Sequence, residues 1–207
     1  MIQFKDFKKQ YSEFTALNIP SFEIKNGLYW LKGINGSGKT TLLKTLGGII
    51  PFEGSLLIEE LDILKHKRAH RKIVNYAEAE PVFPEFLTAM DLIDFFVSTK
   101  GGSKEKCLQQ LEMLNMKPEL NKKTVTYSSG MMKKLSLALA FIGTPKWILL
   151  DEPLITLDVS ATEAVTQWIE EEAHNGVSFL LTSHQPILFK DRQPSILNIE
   201  NRTIAQQ

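Results

Sequence analysis

Residues Gly33-Ile34-Asn35-Gly36-Ser37-Gly38-Lys39-Thr40-Thr41 fit the pattern G-x-x-x-x-G-K-[ST] without a substitution. A glycine-rich loop can turn its backbone N–H groups inward around phosphate oxygens, where a Cβ would obstruct them. Lys39 supplies a point charge for β- and γ-phosphates, and Thr40 supplies a hydroxyl for a magnesium ion. The pattern needs a strand before it and a helix after it. Leu28-Tyr29-Trp30-Leu31 reads as that strand. Thr41–Leu46 reads as the helix, ended by Gly47-Gly48, and its positive end adds to the anion site.

Three other sets of residues carry chemistry. Asp151-Glu152 follows the apolar run Trp147-Ile148-Leu149-Leu150, which reads as a strand buried on both faces. In open parallel sheets, ligands bind at that carboxyl end. One carboxylate there can hold magnesium, and its neighbour can orient or deprotonate a water. His184 follows the strand 177–181 after Thr182-Ser183, where it can reach a γ-phosphate from the same sheet edge. Tyr127-Ser128-Ser129-Gly130-Met131 precedes a helix, and Ser128 or Ser129 suits an N-cap. His66, His70 and His174 have no such placement.

These residues need a scaffold that the rest of the chain supplies. Short β-type runs occupy 2–7, 20–25 and 54–60, and Ile73–Tyr76 returns to strand character. The basic run 65–72 reads as a solvated surface segment. Pro81 and Pro84 break the chain, Thr88 caps a helix through Phe96 with Asp91 as a partial capping box, and 103–116 form a second helix. A third helix runs from about Ser129 to Ile142 and a fourth over 160–173. A final hairpin starts near 195. Strands alternating with helices predict an α/β fold with a largely parallel core, interrupted by a helical insert at 85–127.

Composition narrows the function. Of 207 residues, 43% are hydrophobic and 23% charged, an ordinary globular balance for one domain. Lys+Arg and Asp+Glu both number 24, so no basic excess points to nucleic acid. The lone Cys107 excludes an internal disulfide, fits a reducing compartment and reads as a small buried side chain. The charged N-terminus lacks the apolar region of a signal peptide. No stretch approaches roughly 18 uninterrupted apolar residues, so the chain is not expected to span a membrane.

Taken together in this order, the residues resemble the nucleotide-binding domain of ATP-binding cassette (ABC) transporters, over about residues 2–200. Walker A lies at 33–40, the signature at 127–131, Walker B at 147–152, the D-loop at Leu157-Asp158 and the switch histidine at 184. The resemblance implies a P-loop NTPase of ABC type spanning 1–207, in which a mixed sheet core carries an antiparallel β lobe and the inserted α-helical subdomain. It implies ATP and Mg2+ as ligands. Tyr11, with Phe14 as the alternative, would stack on adenine. Gly33, Asn35, Gly36, Ser37, Gly38, Lys39, Thr40 and Thr41 would hold the phosphates. Thr40 and Asp151 would hold magnesium. Glu152 would be the catalytic base, and His184 would contact the γ-phosphate. Ser128, Ser129 and Gly130 would close over ATP on a second copy or a homologous cassette, with Asp158 at the seam.

Two departures stand out. The signature reads Tyr-Ser-Ser-Gly-Met where the family commonly has Leu-Ser-Gly-Gly-Gln, a variant similar to those of the exporter-like branch. The family's Gln after the strand holding Tyr76 has no counterpart. Ungapped spacing puts Ala79 there, and Glu80 is the candidate to replace it as a metal contact.

The function implied is an ATPase subunit, cytoplasmic and peripheral on the inner face of the cell membrane. It would drive a separate permease, through a docking segment over 78–96 with Phe83, Phe86, Phe95 and Phe96. Its short length is similar to exporter-type cassettes. A soluble ABC ATPase acting on ribosomes or DNA is the alternative, although such members usually carry two cassettes or long coiled-coil inserts. A small-molecule P-loop kinase would explain the phosphate loop but not the signature with Asp151-Glu152.

Overall fold

Residues 2–24 fold back on themselves as one long hairpin, β1 (Ile2–Tyr11) against β2 (Phe14–Ile24). The computed structural model describes residues 1–206. The two short runs read from the sequence are thus parts of a longer pair. The stretch between them also pairs, with Leu17 and Ile19 buried and a register irregularity between Lys9 and Gln10. Strand β4 (Glu53–Ile58) lies antiparallel to β1, and β5 (Leu61–Asp62) extends this lobe in the order β2-β1-β4-β5.

The second sheet has the order β10-β9-β3-β8-β7-β6. Its members are β3 (Leu28–Lys32), β6 (Val74–Ala77), β7 (Trp147–Leu150), β8 (Ser178–Thr182), β9 (Ser195–Glu200) and β10 (Thr203–Gln206). All pairings are parallel except the β9–β10 hairpin. The expected α/β fold, with a mixed core sheet and an antiparallel lobe, is therefore present. Strand β7 is buried along its whole length. Trp147 and Leu149 pack toward the lobe with Leu31, Leu43 and Leu180. Ile148 and Leu150 pack toward the helices with Phe179, Leu181 and Trp168. A strand sandwiched in this way loses the polar alternation of a half-exposed one.

Helix α1 (Lys39–Leu46) follows β3 and fills the space under the lobe with Leu42, Leu43 and Leu46. The basic run is solvated, as expected, except at one position: it forms the helix α2 (Lys67–Ile73), and its His70 is buried. Its Nε2 lies 2.8 Å from the Leu46 carbonyl. Charge alone hid this, because the one inward-facing residue of the turn is itself titratable.

The helical insert holds α3 (Ala89–Lys100) and α4 (Lys104–Met113), which pack against α5 (Ser129–Ala140). Thr88 and Asp91 form a complete capping box, and the helix runs on to Lys100 rather than stopping at Phe96. The entry and exit of the insert meet. Thr124 N–H donates to the Leu87 carbonyl at 2.8 Å, and Thr88 bridges to Lys123. Helix α6 (Val159–His174) then links β7 to β8. Cys107 is buried in the helical core, as expected, and burial pushes its thiol up to about 12. Among the described residues, no helix is long and apolar enough to cross a membrane.

Candidate functional site

Strand β3 delivers the chain to the phosphate loop, and the loop's shape follows from its glycines. Gly38, at the N-cap of α1, has φ 110, a conformation that L side chains rarely adopt. A Cβ there would also lie 2.9 Å from a Leu17 methyl. With no side-chain cap at this end, the first amides of α1 are left without an intrahelical acceptor, and Leu42 N–H is the first to close the helix, onto the Gly38 carbonyl at 2.8 Å. This end of the helix therefore suits an anion. Lys39 curls over its own loop, donating to the Gly33 carbonyl at 2.8 Å and the Ile34 carbonyl at 3.1 Å. Among the described residues, Ser37 Oγ is buried without a partner.

The end of β7 is held from three sides. Asp151 is buried, and its Oδ1 accepts from the Thr182 hydroxyl at 2.7 Å. The same hydroxyl accepts from Glu152 N–H at 2.8 Å. Tyr76 reaches Asp151 Oδ2 at 3.4 Å, and burial followed by the Asp151 charge pushes its phenol well above the usual range. Glu152 sits at φ 47, an uncommon region for a residue with a side chain. Its Oε2 accepts from His184 N–H at 3.2 Å, and its Oε1 lies 3.7 Å from His184 Nε2. Trp30 Nε1 donates to the Ser183 carbonyl at 3.2 Å, which fixes the segment carrying His184.

Tyr11, Phe14, Asn35, Gly36, Gly38, Lys39, Thr40, Thr41, Asp151, Glu152 and His184 line one cavity of about 370 Å³. A glycine-rich loop suited to an anion there faces two carboxylates, with aromatic side chains on the rim. A wider cleft of about 1390 Å³ opens on the other side of Glu152 and His184, between α6 and 183–191. Among the described residues no group of three or more His, Cys, Asp or Glu is set to hold a metal by itself. One hydroxyl and one carboxylate beside a phosphate site suit magnesium, which keeps waters and takes the rest of its shell from substrate phosphates.

A profile of the family described as "ABC transporter" matches residues 17–155. The chain belongs to the ABC transporter family. It spans less than two thirds of the length of the first curated relatives it matches. Relatives include the human glucosylceramide transporter ABCA12, 34% identical over 187 residues, which cover 87% of this chain and 7% of that protein. The lantibiotic transport ATP-binding protein SrtF of Streptococcus pyogenes is 30% identical over 187 residues, covering 89% of this chain and 80% of SrtF. The fold is also that of the ATP-binding cassette MJ0796, solved as a dimer in a post-hydrolysis state bound to ADP and Pi. The TM-score is 0.85 at 20% identity, with 100% of this chain and 98% of that chain covered.

The remaining expected site residues lie away from the cassette's cavity. Gly33 forms the back of the loop, where a Cβ would lie 2.4 Å from Ser37 Oγ. Ser128 caps α5 by accepting from Met131 N–H at 3.2 Å, and Ser129 is exposed beside it. Gly130 permits a close approach, since a Cβ there would lie 3.2 Å from the Thr156 carbonyl. Asp158 caps α6 and accepts from Lys134 Nζ at 2.8 Å, which holds its carboxyl well below the usual range. Glu80 is exposed and does not line the cavity. Of the four aromatics expected to dock a partner, Phe86 and Phe95 are exposed, whereas Phe83 and Phe96 pack on the helical core.

Three residues that sequence reasoning missed shape this site: Thr182, Tyr76 and Lys133. Thr182 is a hydroxyl at the end of an apolar strand. Lys133 shares one face of α5 with positions 136, 137 and 140, and the structure buries all four. A lysine on that face needs internal acceptors. Lys133 Nζ donates to the carbonyls of Glu78, Ala79 and Asp151 at 2.8, 3.1 and 2.9 Å. Burial pushes it down to about 8, against the opposing pull of Asp151 and Glu152.

Proposed function

We propose that this cassette is one nucleotide-binding domain over 1–207, with its helical subdomain at 85–127. It binds and hydrolyses MgATP as half of a head-to-tail pair and drives a separate membrane permease. The observation that carries this reading is a division among the site residues. Lys39, Thr40, Asp151, Glu152 and His184 line a single cavity, whereas Ser128, Ser129 and Gly130 sit outside it at the exposed start of α5. A site split in this way is complete only when another copy supplies the second half.

Within the pair, the loop amides with Thr41 and Lys39 bind the phosphates, and Tyr11, or Phe14 beside it, stacks on adenine. Magnesium between Thr40 and Asp151 would offset the charge building on the β- and γ-oxygens. Glu152 takes a proton from the attacking water, and the Thr182 bridge keeps its backbone and Asp151 in fixed relation. His184 steadies the γ-phosphate. Ser128 and Gly130 of the other copy close over it, with Asp158 at the seam. Glu80 is too exposed to be assigned a metal contact in this conformation. We assign export as the direction because the signature Tyr127-Ser128-Ser129-Gly130-Met131 resembles the exporter-like branch. The subunit then works at the cytoplasmic face of the membrane, with the exposed Phe86 and Phe95 toward the permease.

Glu152→Gln tests the chemistry. It should retain ATP affinity, lose hydrolysis by about a thousandfold and accumulate as an ATP-bound dimer, read by phosphate release and by light scattering. Hydrolysis at the parent rate would remove Glu152 as the base. An integral-membrane protein co-purifying with the tagged chain supports the transport role, whereas ribosomes in its place would favour the soluble alternative.

A further inference from the structure

Helix α5 is joined to the cassette's own nucleotide site by one buried side chain. Lys133 is 1% exposed, one turn past the signature residues. An ammonium has three donors, and here all three are spent on backbone carbonyls. Two belong to Glu78 and Ala79, the segment leaving β6, and one belongs to Asp151. No carboxylate among the described residues forms an ion pair with it. The next residue grips a different loop: Lys134 donates to Asp158 Oδ2 at 2.8 Å and to the Leu114 carbonyl at 3.2 Å. One turn of one helix is thereby tied to the loop after β6, to the magnesium carboxylate's backbone and to the seam residue.

We infer that Lys133 is a positioning residue that couples the cassette's own site to the signature segment it lends to a second copy. The inference rests on the composite-site reading above. The geometry favours coupling over simple support for two reasons. The three carbonyls come from two segments far apart in sequence, one leaving β6 and one carrying the cavity-lining Asp151, so any shift of either one pulls on the same nitrogen. The nitrogen belongs to the helix whose first turn is Ser129-Gly130, so the pull reaches the part of the molecule that must close on the partner's ATP. A shift of α5 alone would break all three bonds together.

The test uses the full chain carrying Glu152→Gln, so that ATP is bound and not consumed. In MgATP this chain should dimerise. Adding Lys133→Met should leave ATP affinity of the monomer within about twofold while weakening dimerisation by at least tenfold, roughly the worth of one charge-assisted hydrogen bond. A lysine with only a structural role would move both quantities together or neither, and either result overturns the inference. Should Lys133→Met fail to melt cooperatively, Lys133→Gln keeps two donors. It should show the same split at roughly three- to tenfold. Failure of the Glu152→Gln chain itself to dimerise would overturn the composite-site reading, and the inference with it.

Discussion

The two halves of the proposed site are fixed by opposite means. On the phosphate-loop side, short side chains bond to one another at the buried end of a strand. Thr182, Asp151 and Glu152 make a closed set in which one hydroxyl both donates and accepts. On the signature side, Ser128 and Ser129 are exposed at a helix start, and the fixing is done from behind by long side chains that reach backbone carbonyls. The first arrangement holds reacting groups still, as charge stabilisation requires. The second leaves the working surface free and ties the whole helix, rather than its first turn, to the surrounding loops. A site made of one rigid half and one movable half suits a cycle in which closure accompanies catalysis.

Substitutions in the rigid half should be the costliest to the chemistry. Lys39→Ala removes the one ammonium that lines the cavity among the described residues and should weaken ATP binding by about 10- to 100-fold, measured by titration calorimetry. Unchanged affinity would break the phosphate-loop half of the comparison outright. Thr182→Val keeps the branched shape of a strand residue but strands Glu152 N–H and Asp151 Oδ1. The loss should cost about 1–3 kcal/mol in thermal or denaturant unfolding. It should also lower kcat by roughly tenfold with little change in ATP affinity. Parent-like turnover in that variant would mean the carboxylates are oriented by something other than the hydroxyl bridge.

The rigid half was the more legible in the sequence. A phosphate loop needs glycines at fixed places, and a strand buried on both faces reads as an unbroken apolar run ending in Asp151, so residue type and position coincide. The movable half was legible in its exposed first turn and silent behind it. Lys133 and Lys100 look like surface charges until the burial of their helix faces is known. His70 was hidden in the same way, inside a run of cations that otherwise faces solvent. The long hairpin at 2–24 was under-read because around its turn the buried Leu17 and Ile19 are scattered among polar residues held by backbone pairing, which leaves no mark on residue type. The Gln-loop departure stays visible in the structure. The side chains at 78–80 do not line the cavity, and the contribution of that segment to the site runs through its carbonyls.

The smallest effect we expect comes from pH and tests whether ammonium groups do attach the helical side. Lys100, at the end of α3, donates to the Arg71 carbonyl at 2.7 Å and to Asn75 Oδ1. Asn75 in turn donates to the carbonyls of Ala140 and Ile142 at 2.7 and 2.8 Å. Burial, helped by Arg71, pushes Lys100 down to about 8. Its value in the unfolded chain is near 10.5, so between these values the unfolded state holds the extra proton and stability must rise with pH. Lys133 contributes with the same sign over the same window. Allowing for solvent screening, the gain for Lys100 should be about 1–2 kcal/mol between pH 8 and 10.5, read from denaturant melts. Lys100→Met should shrink that step while lowering stability at neutral pH, since the acceptors on Arg71, Val74 and Asn75 lose their donor. A flat or falling curve would mean that Lys100 keeps its full hydration, and that α3 is attached to the sheet by packing alone.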